Sequence, residues 1–471
     1  MNSPMMIVGL VISIVAIVGL AIGTGMKKKK SGGKIGFGVV AGLIMGTLVG
    51  GSSTIGTAQL AYNYGMSAWW FTIGASLACL VLALVYTKPL RKNGNATLVG
   101  MVAQEYGPKA GMAATILNSV GTFINILSQL LAASAVVLVI WPNMGTVWTI
   151  IISAVVMILY VVFGGAKGAG IVGILKLCLL YVSMVTCGIL ALNHIGGIDG
   201  LTSAISTFSA QTGRNFASLF CRGVGTDLGA CVSLILGVLT TQTYAQAVLS
   251  AKSDGQAKAG AIISTCLIPA IGIFGIIVGL YMRTVTDPAT FVAKTALTSF
   301  ILEYSGMPDV LAGVVLGTLF IASVGTGAGL ALGIATVINR ELIQKRGGEH
   351  KLSADTMNKL LIIVVLTLAT ALSCTPIGDT ILKFAFMSMG LRGCTVFAPL
   401  CFLIWAKGKV SGNYAFISIV GGSIVALILG VLNLFDVIAL PCDAVFPGIA
   451  VGLVVMFIGL ASGRKPTRLA Q

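Results

Sequence analysis

The chain alternates long apolar runs with short polar or basic breaks. Thirteen runs are present, near residues 5–26, 36–62, 67–87, 110–140, 145–164, 169–193, 229–249, 258–282, 308–338, 358–373, 379–406, 412–434 and 443–462. An apolar stretch of roughly 20 residues crosses the hydrocarbon core of a bilayer as a helix. The pattern predicts an all-α polytopic membrane protein of ~13 transmembrane helices, a leading helix followed by helices 1 to 12. The first run is long enough to span and does not read as a cleavable signal. The two longest breaks, 194–229 and 283–308, have room for short surface helices but not for a separate domain, so residues 1–471 form one transmembrane domain.

Composition agrees. Of 471 residues, 57% are hydrophobic and 9% charged, where a soluble domain carries roughly 25% charge. The 61 glycines exceed the usual share of about 7% and suit crowded or kinked membrane helices. Two histidines cannot build a histidine metal site, and the ten cysteines form no Cys-x-x-Cys pair. Neither a zinc centre, a disulfide framework nor an organic cofactor is expected.

Charge fixes an expected orientation. The formal net charge is +16, and 23 of the 29 lysines and arginines fall in one alternate set of loops, counting Lys176, which lies inside a helix. The positive-inside rule places that set, with the KKKK loop at 27–30 and the C-terminus, in the cytoplasm and the N-terminus outside. This gives the basic loops a simpler origin than nucleic-acid or lipid recognition. The partners expected are membrane lipid and a small solute, with no nucleic acid and no obligatory protein partner. A plasma (inner) membrane location follows.

Two helices carry interruptions. Helix 1 reads GLIMGTLVGGSSTIGTAQLAY, centred on Gly50, Gly51, Ser52, Ser53 and Thr54. Five consecutive residues that do not favour helix predict a discontinuous segment, and unwound backbone at membrane depth must line a cavity. Helix 6 has a counterpart, Gly237 followed by Thr240, Thr241, Gln242 and Thr243. Paired interruptions five helices apart point to an inverted-repeat transporter with a site near the midplane. On helix 3, Asn118, Thr122, Asn125 and Gln129 step by helical spacing and share one face, which serves as interhelical glue or as a solute-lining surface.

The stretch Gly50–Trp70, GGSSTIGTAQLAYNYGMSAWW, resembles the start of the core in the sodium:solute symporter family, with Gly56, Tyr62 and Gly65 at matching spacing. Thr241–Ser253, TQTYAQAVLSAKS, resembles that family's helix 6 exit through Gln242, Gln246, Ala251, Lys252 and Ser253, with Thr241 and Ala247 replacing its Asn and Arg. IASVGTGAGLALGIATVINREL in helix 8 is similar to its sodium-site helix. The resemblance implies the leucine-transporter fold. Two five-helix inverted repeats would span 36–193 and 229–406, with the leading helix at 5–26 and two trailing helices within 412–462. It implies alternating-access symport of a small organic solute with sodium as coupling ion.

The resemblance also implies a cation site from the carbonyls of Gly46 and Val49 in helix 1 and from Ala322, Gly325 and Thr326 in helix 8. Sodium wants such oxygen ligands. Three departures surround it. Gly325 supplies no hydroxyl where the family has Ser. In helix 5 the family's Thr-Asp-x-x-Gln becomes Val172-Gly173-Ile174-Leu175-Lys176, losing a carboxylate and gaining an amine. A full charge about 6 Å from bound sodium costs about 2.8 kcal/mol at an effective dielectric of 20. Either Lys176 snorkels to the cytoplasmic interface, or its ammonium partly replaces sodium and couples transport to protons.

Helix 10 holds Lys383, placed to pair with Asp379 one turn away, and Arg392 about 20 Å deeper. A midplane arginine must face a cavity or a partner. Ser52, Ser53, Thr54, Asn118, Thr122, Thr240, Thr241 and Arg392 form the expected solute surface. It contains no carboxylate, which favours a neutral or anionic solute, although Arg392 equally fits a structural pair. An ion channel would need a filter-like loop and an enzyme a titratable cluster, and neither is visible. A transporter-like receptor would need a signalling domain, and eight residues follow Gly463.

Overall fold

The computed structural model describes residues 4–26, 34–92, 97–164, 169–343, 353–375, 381–435, 437–438 and 440–463. Each of the thirteen apolar runs is helical. The leading helix is Pro4–Met26, and helix 1 is divided into Phe37–Leu48 and Ser52–Gly56 with Thr57–Tyr64. Helix 2 begins at Trp70–Val81 and continues to Lys92, helix 3 is Pro108–Ile140, helix 4 Thr146–Gly164 and helix 5 Ala169–His194. Helix 6 is divided into Val224–Thr240 and Gln242–Leu249. Helices 7 to 12 are Asp254–Val285, Asp309–Ile338, Ala354–Ser373, Ile381–Trp405, Gly412–Leu434 and Val445–Ala461. Gly197–Thr212 forms a surface helix in the first long break.

Eight helical stretches are long and apolar enough to cross a membrane, and the bent helix 6 makes a ninth. One of the eight, Ser52–Lys92, runs continuously from helix 1 into helix 2 by length and composition. Its backbone turns at Gly65, where φ is +61° and a Cβ would press on the Phe216 backbone. Only glycine adopts that conformation without strain. Four shorter apolar stretches, Pro4–Ala16, Phe37–Leu48, Thr146–Val162 and Val445–Ala461, complete the set. The chain is an integral membrane protein.

Helices 3, 8 and 10 form the buried centre. Helix 3 packs on both of the others, helix 1 lies against helices 5 and 7, and helix 6 against helices 2 and 10. The leading helix covers helix 8, and helices 11 and 12 pack on each other and on helix 10. The periphery is apolar outward, as with Leu360, Val364 and Leu368 on helix 9, the face a bilayer would cover. Pro269 inside helix 7 cannot bond the Thr265 carbonyl, and the Ser76 hydroxyl from helix 2 donates to it at 2.6 Å. A break in one helix is thereby repaired by its neighbour. The KKKK loop, Lys167 and Asp379 lie outside the described residues.

Candidate transport site

The first half of helix 1 ends at Leu48, and Val49 leaves helical geometry with φ −94° and ψ 103°. The three hydroxyls that follow turn inward. Ser53 Oγ donates to the Gly50 carbonyl at 2.9 Å and accepts from the Gly50 amide, and Thr54 Oγ1 donates to Gly50 O at 3.0 Å. Ser52 Oγ meets Ser128 Oγ of helix 3 at 2.7 Å. Gln129, the end of the helix 3 stripe, accepts from the Gly51 amide at 3.1 Å and donates to Ser52 Oγ at 2.8 Å. An unwound segment needs such partners, because each freed backbone group would otherwise be orphaned in an apolar core. The predicted Ser-Ser-Thr cluster therefore holds the break together.

Helix 6 breaks at Thr241, which has extended geometry with φ −89° and ψ 125°, and its two halves meet at a 51° bend. Thr240 turns its hydroxyl back to the Leu236 carbonyl at 2.7 Å. Both interruptions predicted from the pattern are thus present, five helices apart.

Lys176 does not snorkel to the interface. It is 3% exposed, and its ammonium points across the bundle to the end of the first half of helix 1. Nζ donates to Gly46 O at 2.7 Å, Thr326 Oγ1 at 3.0 Å and Ala322 O at 3.3 Å. Three N–H bonds meet three oxygens, the full donor capacity of an ammonium. Thr326 accepts from the lysine while donating its own proton to Ala322 O at 2.9 Å. The approach is possible because helices 1 and 5 touch at two glycines: a Cβ on Gly46 would lie 3.3 Å from the Gly173 Cα. Of the oxygens expected to hold a cation, Gly46, Ala322 and Thr326 are gathered around Lys176, whereas the Val49 carbonyl is not among its partners. Gly325 instead faces Tyr160, whose hydroxyl would stand 3.6 Å from a Cβ there.

Arg392 is fully buried. Helical side chains lean toward the N-terminus, and its guanidinium reaches back one turn. Nε donates to Ser388 O at 3.2 Å, Nη2 to Ser388 Oγ at 3.1 Å and to Met389 Sδ at 2.9 Å, and Nη1 to Thr241 Oγ1 at 2.7 Å. The last bond joins helix 10 to the break in helix 6. Gly121 of helix 3 makes room, since a Cβ there would lie 2.7 Å from Arg392 Cγ. All these partners are neutral. The sequence alone does not single out Ser388, Ser128 or Gly121, although Ser388 stands at i−4 from Arg392, where a helical partner belongs. Asn118 and Thr122 lie half-buried farther along helix 3, and Asn118 Oδ1 is buried without a partner.

A cavity of about 410 Å³ opens at one end of the bundle, lined in part by Arg214, Arg222, Lys383, Phe386 and Asp443. Arg222 is held there by Asp227, at 2.6 Å, and by Ser67 at 2.8 Å. Burial pushes the Asp443 carboxyl up. The opposite end is closed. Ile35 pairs with the 250–252 segment through two backbone bonds of 2.9 Å. Arg91 donates to Asp254 at 2.6 Å and to the carbonyls of Val248 and Ala251 at 2.9 and 2.8 Å.

Comparison with known proteins places this architecture. The human high affinity choline transporter 1 is 24% identical over 388 residues, covering 79% of this chain and 65% of that protein. The uncharacterized symporter YwcA of Bacillus subtilis is 31% identical over 164 residues, covering 34% of this chain and 31% of that one. The chain thus spans less than two thirds of the length of these relatives. In three dimensions it superposes on the substrate-bound outward-open state of a Na+-coupled sialic acid symporter with a TM-score of 0.75, over 100% of both chains at 18% identity. That likeness shows the fold, the leucine-transporter-like arrangement with its broken helices 1 and 6. The family model described as the sodium:solute symporter family matches residues 30–422, and the chain belongs to that family.

Proposed function

We propose that the protein is a secondary active transporter that moves a small organic solute by alternating access, coupled to sodium. The observation that carries this reading is the pair of helix breaks at Val49–Gly51 and Thr241, set in corresponding helices of two repeats taken as 36–193 and 229–406. The cavity end would face outside and the Arg91 end the cytoplasm of a plasma membrane, in keeping with the loop charges. The conformation is then open outward and sealed inward. Ser52, Ser53, Thr54, Asn118, Thr122, Thr240, Thr241 and Arg392 frame the path of the solute.

The Lys176 ammonium uses the oxygens of Gly46, Ala322 and Thr326 that a sodium ion at this site would need. Sodium enters only when that ammonium withdraws or gives up its proton, so lysine and sodium compete for one set of oxygens. The three bonds to Lys176 also favour a second reading, in which the lysine is the resident cation and the coupling ion is the proton.

Proteoliposomes holding the full chain, exposed to a mixed metabolite extract, test the function. Under an inward sodium gradient, mass spectrometry of the lumen should find one solute class concentrated, and potassium replacement at fixed pH should abolish it. Accumulation that ignores sodium and follows an imposed pH gradient selects the proton reading. No accumulation under either gradient refutes transport.

A further inference from the structure

Lys176 and Arg392 occupy equivalent places. Lys176 is on helix 5 and caps the first half of broken helix 1. Arg392 is on helix 10 and bonds Thr241, the residue that ends the first half of broken helix 6. In each five-helix repeat, the last helix sends a cation to the C-terminal end of the first helix's broken half. A helix C-terminus carries a partial negative charge of roughly half a unit, which explains both placements and neutralises neither cation fully.

No carboxylate completes the balance. Among the described residues the buried charged side chains are Lys176, Asp227, Lys294 and Arg392. Asp227 is spent on Arg222 at the cavity end, and neither Lys176 nor Arg392 has an acidic partner within ion-pair reach. Gln129, at the helix 1 break, and Gly121, against Arg392, are eight residues apart on helix 3, about 12 Å along its axis. Between them on the stripe stand Asn125 and Thr122. Asn125 is 6% exposed and makes no hydrogen bond among the described residues. Buried cations without counter-charge and a buried amide without a partner are costly, and they face the same central space.

We infer that the transported solute bears a single carboxylate, received by Arg392 with Asn125 beside it, between the two tethered cations. A planar guanidinium matches a carboxylate through paired donors, and one fork balances one charge, which favours a monoanion over a phosphate ester. The inference rests on the transport reading but not on the coupling ion, because exchanging the Lys176 proton for sodium leaves one positive charge at that break. Arg214 and Lys383 at the cavity mouth would draw the same class of solute inward.

The test uses the purified full chain and matched probes: acetate, pyruvate, lactate, benzoate and further 2-oxo and 2-hydroxy acids, each beside its amide, with choline as the cation. Thermal stabilisation and proteoliposome uptake should appear with a carboxylate and be absent with its amide and with choline. Asn125→Ala should weaken the response by about tenfold without moving the melting temperature of the unliganded protein. Arg392→Lys, which keeps the charge and loses the fork, should weaken it at least as much. Uptake of amides or choline with no carboxylate taken up would overturn the inference and leave the transport reading standing. No uptake of any class in the panel or the metabolite extract would overturn both. A carboxylate response unchanged in folded Asn125→Ala and Arg392→Lys would overturn the assigned site.

Discussion

The Lys176 ammonium lies 2.7 Å from the Gly46 carbonyl, so a side chain of helix 5 closes the unwound end of helix 1. It also ties helix 1 to helix 8 through Thr326. In alternating access the helix 1 break must move relative to helix 8, and this single cation sits across the joint.

Competition between Lys176 and sodium gives a pH dependence of definite sign. The protonated lysine excludes sodium, so the apparent sodium affinity of uptake should rise as pH rises, by up to about tenfold per pH unit while the lysine is mostly charged. Lys176→Gln should flatten that dependence. Sodium titrations of uptake at several pH values check this, and a sodium affinity independent of pH in the native protein would refute the competition.

Gly325→Ser should add a hydroxyl at the helix 8 side of the site, where the nearest neighbour, Tyr160, leaves ordinary van der Waals room. Its gain should be about 1 kcal/mol, near fivefold in sodium affinity, and larger in a Lys176→Gln background. Thr326→Ala should act in the opposite direction. It removes one acceptor from Lys176 and the only side-chain oxygen expected to bind sodium.

Asp227 is fully buried and accepts from Ser67 at 2.7 Å and from Arg222. Removing one member of such a pair leaves an uncompensated charge, at a cost of about 3–5 kcal/mol. Asp227→Asn should therefore lower the melting temperature of the purified protein by several degrees. Ser67→Ala, which removes a neutral partner, should lower it less.

Arg91 holds the closed end by carbonyl bonds as well as by its ion pair, whose Asp254 partner is half exposed. Arg91→Ala should open that end more than Asp254→Ala, because screened ion pairs contribute only about 0–1 kcal/mol. In a cysteine-free background, a cysteine at the buried Ala251 should label faster from the cytoplasmic side in Arg91→Ala. Equal labelling in both variants would contradict this.

Orientation is read by two exposed serines. A cysteine at Ser206, on the surface helix of the first long break, should react with an impermeant reagent from outside, and one at Ser353, before helix 9, should not. Reversed accessibility would invert the proposed topology.

The helices and both interruptions were legible in the residues themselves. A bilayer requires about 20 apolar residues per span, and Gly50-Gly51-Ser52 and Thr240-Thr241 disturb an otherwise apolar helix in a way that local propensity registers. The resemblance also placed Gly46, Ala322 and Thr326 at one site. The direction taken by Lys176 was not legible, because the path to the interface and the path to the helix 1 break begin at the same Cβ. Only the close contact of Gly46 with Gly173, which brings helix 5 against helix 1, makes the inward route short enough to satisfy all three N–H donors. Arg392 was equally open between pairing and binding. Its neutral shell of Ser388, Met389 and Thr241 depends on helices 3, 6 and 10 meeting at one point. The sequence determined which segments enter the membrane and where they break, since those follow from local composition. Tertiary packing decided which buried cation meets which oxygens, since that depends on distances between helices far apart in the chain.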